Sequence, residues 1–145
     1  MFKHILIPTD GSDASARAVT AAITIAVEQG AAVSAIHVMS DMPVYAYQGE
    51  ILADTFEQFN SATESYAKTC LDEVARQALA AGVQCHQICV RSAEPYRAIL
   101  DAAESGDCDL IVMGSHGKKG IQRLILGSET QKVLTHGNRP VLVFR

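Results

Sequence analysis

Short apolar runs alternate along this chain with stretches of helical character, and that alternation limits the fold more than any other feature. The runs are "KHILIPTD", "AAVSAIHVMS", "GVQCHQICVRS", "DLIVMGSH" and "RPVLVF", each ending in turn residues, and each reads as a strand. Between them helices are expected from Asp13 to Gln29 closed by Gly30, from about Thr55 to Ala81 closed by Gly82, from Glu94 to Ser105 opened near Pro95, and from Ser128 to His136 closed by Gly137. In the second helix Phe56, Phe59, Tyr66, Cys70 and Val74 form a stripe near the spacing of three and four that turns one face inward, and it is read as core. The long connection "SDMPVYAYQGEILAD", Ser40 to Asp54, is read as a loop or flap within the same domain.

Strands alternating with helices call for an α/β fold with a doubly wound parallel sheet, because right-handed crossovers place helices on both faces. With the first strand central, strands two and three extend one way and strands four and five the other, giving the order 3-2-1-4-5. Residues 1–145 then form a single domain, which at this length buries about two-thirds of its unfolded surface. Ligands in such sheets bind beyond the carboxyl ends of the strands where the winding reverses, here between strands one and four. Asp10 and Gly114 end those two strands.

Composition removes several classes. The apolar runs "AAITIAV" and "DLIVMG" are far shorter than the roughly 20 residues of a membrane span, and "MFKHILIPTDG" lacks a signal-peptide hydrophobic region, so a cytoplasmic protein is expected. Cys70, Cys85, Cys89 and Cys108 match no zinc spacing. Cys85 and Cys89, four apart in a strand, would lie about 13 Å from each other, too far for one ion or one disulfide. All four are read as reduced thiols, mostly filling core. The net charge of −4 divides into +5 over residues 114–145 and −9 over the rest. A local basic region on an acidic chain suits a small anion rather than nucleic acid, which calls for a broader basic face.

That basic region holds "GSHGKKGIQRLILGS", Gly114 to Ser128. It begins at the expected crevice, and its end opens the last helix, whose N-terminus offers unpaired N–H groups and partial positive charge. Gly114 and Gly117 permit positive φ and a close approach of backbone N–H to a ligand. Ser128 caps the helix or donates its hydroxyl to a phosphate oxygen. Lys118 and Lys119 are read as solvated, His116 as a hydrogen-bonding loop residue, and Ile121, Leu124, Ile125 and Leu126 as packing the loop. Asp10, in "PTDGS", is either a turn residue beside Gly11 or a carboxylate that accepts from a ribose or holds a divalent cation, Mg or Mn, beside phosphates. The P-loop pattern, the dinucleotide fingerprint and the nucleophile elbow are all absent, and no acid–base pair is evident.

The spacing G-x2-G-x9-G-[ST], met by Gly114, Gly117, Gly127 and Ser128, resembles the ATP-binding signature of the universal stress protein family. The likeness extends through "ILIPTDGS", "AIHV", "DLIVMGSHGKKG" and "RPVLVFR". It implies the 3-2-1-4-5 sheet and ATP, or AMP or ADP, in the crevice. Adenine would lie near Pro8, Thr9, Asp10 and Val38, phosphates against Gly114, Gly117, Gly127, Ser128 and Thr130, with Met113 lining the pocket. It also implies a homodimer made by the last strand, Val141 to Phe144, whose apolar edge would otherwise expose Val141, Val143 or Phe144. The expected role is a stress-response regulator rather than an enzyme, with slow ATP hydrolysis compatible and a nucleotide-independent dimerisation module as the alternative.

Overall fold

The computed structural model describes residues 1–41, 53–115 and 127–145. The elements follow as β1 (His4–Pro8), α1 (Asp13–Gln29), β2 (Ala32–Met39), α2 (Ala53–Ala80), β3 (Cys85–Arg91), α3 (Pro95–Ser105), β4 (Leu110–Gly114), α4 (Ser128–His136) and β5 (Val141–Phe144). The strands pair in parallel in the order β3-β2-β1-β4-β5, as the alternation predicts.

Alternate residues of the strands feed two cores. Ile5 and Ile7 of β1, Val33 and Ala35 of β2 and Leu110 and Val112 of β4 pack with Ala18, Val19, Ala22, Ile23 and Ala26 of α1 and with Leu71, Val74 and Ala78 of α2. On the other face Leu6, Ile36, Ile111 and Met113 pack with Ile99 and Ala103 of α3 and Val133 of α4. The buried alanines of α1 let that helix lie close to the sheet. Its start is capped by Ser12, whose side chain accepts from the Ser15 N–H, and it ends at Gly30 in the left-handed region, with the Ala31 N–H on the Ala26 carbonyl at 2.9 Å.

Four expectations change. The apolar stripe of α2 is core only in its second half: Ala67, Cys70, Leu71, Val74 and Ala78 are buried, while Phe56 is 41% exposed and Phe59 half-buried. Length explains the difference. A helix of 28 residues runs about 42 Å, and a strand of 8 residues about 26 Å, so the first turns of α2 overshoot the sheet. Of the cysteines, all free, Cys70 and Cys108 are buried, Cys85 is half-buried and Cys89 is exposed, because β3 is an edge strand. On the other edge, Val141, Val143 and Phe144 are half-buried, with Val141 and Phe144 packed against opposite cores, and Leu142 is the exposed one. Finally, α2 begins at Ala53, and the rest of the expected loop from residue 42 to 52 lies outside the described residues.

Burial pushes the Cys108 thiol up to about 11, and raises Cys85 and Cys89 less. A thiol alkylating reagent at about pH 8, where the thiolate is the reactive species, should therefore modify Cys89 first and leave Cys108 intact until the protein unfolds. Peptide mass spectrometry showing Cys108 modified as fast as Cys89 would contradict the packing of α3 against β4.

Candidate functional site

The first wall of the crevice is the turn by which β1 leaves the sheet. Thr9 is buried, its N–H donates to the Ile36 carbonyl at 2.9 Å, and its hydroxyl accepts from the Ser15 hydroxyl at 2.8 Å. Asp10, half-buried, accepts the Ser12 N–H on Oδ1 at 2.9 Å, an Asx turn that feeds straight into the Ser12 cap of α1. Gly11 completes it with φ of 76°. The carbonyls here are held from outside the turn. His37 Nδ1 lies 2.8 Å from the Thr9 oxygen, and the Tyr66 hydroxyl donates to the Asp10 oxygen. Asp10 is thus a turn residue, and the same turn sets its carboxylate at the head of the crevice.

The second wall is the exit of β4. Gly114 does not have positive φ, contrary to expectation. Its missing Cβ serves the frame instead: a methyl there would stand 2.7 Å from the Ala14 carbonyl carbon and 2.8 Å from the Ser15 nitrogen, so glycine is what lets β4 end against the first turn of α1. Ser115 donates its N–H to the Phe144 carbonyl and accepts the Gly127 N–H, each at 2.6 Å. The chain therefore leaves and re-enters at one hydrogen bond. Gly117, His116, Lys118, Lys119 and the apolar residues 121 and 124–126 lie outside the described residues.

Re-entry begins α4. Gly127, not Ser128, is the N-cap, with φ −55° and ψ 144°, angles open to any residue, and Ser128 is the exposed first helical residue. The correction follows from spacing, since the first helical bond runs from the Gln131 N–H to the Gly127 carbonyl at 3.0 Å. The N–H groups of Ser128, Glu129 and Thr130 precede that bond and are the donors of a helix N-terminus. Thr130 is buried and its hydroxyl donates to the Gly114 carbonyl at 3.1 Å, tying helix to strand. The acid of this first turn is drawn away: Glu129 accepts the Tyr96 N–H at 2.8 Å, capping α3, and meets Lys132 Nζ at 3.1 Å. An anion at the start of α4 therefore faces a compensated carboxylate.

Between the walls lies an apolar floor. Val38 and Met113 belong to the α3–α4 face, and Pro8 shares it by alternation with Leu6. In register Pro8 pairs with Ile36 and Leu6 with Ile111, so the three residues end adjacent strands side by side. Among the described residues no group of three or more His, Cys, Asp and Glu could hold a metal ion. Of the expected site, Pro8, Thr9, Asp10, Val38, Met113, Gly114, Gly127, Ser128 and Thr130 thus gather at the carboxyl ends of β1, β2 and β4. His37, Tyr66, Ser15 and Ser115 join them without having been singled out for the site. A lone histidine inside "SAIHVM" was the one available signal; the others carry none in sequence.

The sequence model of the Universal stress protein family matches residues 1–145. The chain belongs to the universal stress protein family. Universal stress protein MJ0531 of Methanocaldococcus jannaschii is 36% identical over 145 residues, spanning all of this chain and 83% of its own length. Among solved structures, the hypothetical protein MJ0577 of the same organism superimposes with a TM-score of 0.84 at 27% identity, covering 99% of this chain and 96% of that one. A universal stress protein in complex with cAMP gives a TM-score of 0.73 at 26% identity, with 99% and 97% covered. The parallel sheet in the order 3-2-1-4-5 is thus the fold of this family. No helix among the described residues is long and apolar enough to cross a membrane.

In this universal stress protein Gly114→Ala is expected to destabilise by about 2–3 kcal/mol, because the atoms met are helix backbone and cannot rotate away. Chemical denaturation measures it, and an unchanged midpoint would show that the close approach of α1 to β4 is not required.

Proposed function

We propose that this universal stress protein is a cytoplasmic, stress-responsive regulator that binds an adenine nucleotide, ATP or its AMP or ADP relatives, and works as a homodimer. The observation that carries the reading is the hydrogen bond between Gly127 and Ser115, which sets the donor end of α4 beside the exit of β4, across the winding reversal from Asp10. N–H groups at a helix N-terminus, with the equivalent of about half a positive charge, suit phosphate oxygens. The base would rest on Pro8, Val38 and Met113, with Asp10 positioned to accept from a ribose or to hold Mg or Mn with the phosphates. The cAMP complex of a relative supports an adenine ligand on this fold. The chemistry proposed is binding, with slow hydrolysis of ATP compatible.

The geometry of Gly127 sharpens the test. Its angles suit any residue, so Gly127→Val is expected to fold as the parent does while its side chain fills phosphate space. Asp10→Ala should weaken ATP by about 1–3 kcal/mol through loss of a charged hydrogen bond. Calorimetry finding the affinity of both variants equal to that of the unaltered protein would overturn the assignment of this crevice.

The dimer would form through β5, which ends the sheet order with Leu142 exposed, by pairing its outer edge with that of a second copy. Removing residues 141–145 should give a monomer or an aggregate in sedimentation. An intact protein that sediments as a monomer at micromolar concentration would exclude the dimer.

A further inference from the structure

Thr9 and Asp10 present two successive carbonyls at the point where β1 stops being a strand, and side chains from two other elements hold them. His37, on β2, is 7% exposed, and its Nδ1 stands 2.8 Å from the Thr9 oxygen. A carbonyl only accepts, so Nδ1 carries a proton and donates it to this bond. Tyr66, on α2, donates to the Asp10 oxygen. The two rings meet edge to face, centroids 5.6 Å apart, so each fixes the other's orientation. Tyr66 also lies over Gly11: a Cβ there would meet the Tyr66 hydroxyl and stand 3.1 Å from Cys70 Sγ. Neither side chain belongs to the glycine signature, and neither has been given a part in the crevice by the chemistry of phosphate binding.

We propose that His37 and Tyr66 are a positioning pair for the nucleotide site, holding the Thr9–Asp10 backbone so that the Asp10 carboxylate is aimed before the ligand arrives. The inference rests on the nucleotide-binding reading above. A backbone held at both carbonyls cannot rotate Asp10 away from the crevice, and the ordering cost that a free turn would impose on binding is already met in folding. Because Tyr66 stands on α2 and His37 on β2, the aim of a residue just beyond β1 is set by elements flanking one side of the crevice.

The test uses the intact protein and ATP. Tyr66→Phe removes one hydroxyl and keeps the ring, and His37→Leu removes the donor. Each is expected to weaken ATP by about tenfold, the worth of one hydrogen bond. His37→Asn, which offers an amide N–H close to where Nδ1 stood, should recover most of the loss. Calorimetry gives the affinities of the folded protein, and thermal melting of the same samples separates them from stability. Restored affinity in His37→Asn, together with weaker binding by Tyr66→Phe at a melting temperature near that of the parent, carries the proposal. Tyr66→Phe and His37→Leu samples that bind ATP as tightly as the parent would overturn the positioning role and leave the nucleotide site standing. A parent protein that binds no ATP would overturn both.

Discussion

Everything in this molecule hangs on a strand whose middle water never reaches. Ile5, Leu6 and Ile7 of β1 are each fully buried, on alternating faces, and each is worth about 1.5–3 kcal/mol of transfer from water. A strand covered on both faces needs a helix layer on each side and a neighbour on each edge, which are α1 and α2, α3 and α4, β2 and β4. The order of the sheet follows from making this strand central. So does the crevice, because the winding must reverse beside it.

The site inherits its rigidity from that burial. Asp10 stands two residues beyond the end of β1, and its turn is tied to Ser15 of α1, to Ile36 and His37 of β2 and to Tyr66 of α2. On the opposite wall, the close contact of Gly114 with Ala14 and Ser15 locks β4 to the same first turn of α1. One helix start thereby sets both walls, and their separation cannot change without opening the core under Ala14, Ala18 and Ala22.

Strand positions, sheet order and the gathering of the expected residues at the carboxyl ends were legible in the sequence because they depend on period and punctuation. What the sequence concealed depends on distance. Periodicity showed that Phe56 shares a face with Val74, but not that α2 outruns the sheet and leaves Phe56 uncovered. A glycine in a loop signature reads as a phosphate contact, and only the proximity of α1 shows that Gly114 serves packing. Ser128 looks like a cap until the helical bond from Gln131 lands on Gly127. The hold of His37 and Tyr66 on the β1 exit joins residues 28 and 56 positions away, with no local pattern to announce it.

The bond between Gly127 and Ser115 has one more consequence. With the Thr130 hydroxyl on the Gly114 carbonyl, it ties the first turn of α4 to the end of β4. The Ser115 N–H in turn reaches the Phe144 carbonyl, so a single residue rivets β4, α4 and the edge strand β5 together. Whatever pulls on that edge therefore also pulls on the donor end of α4.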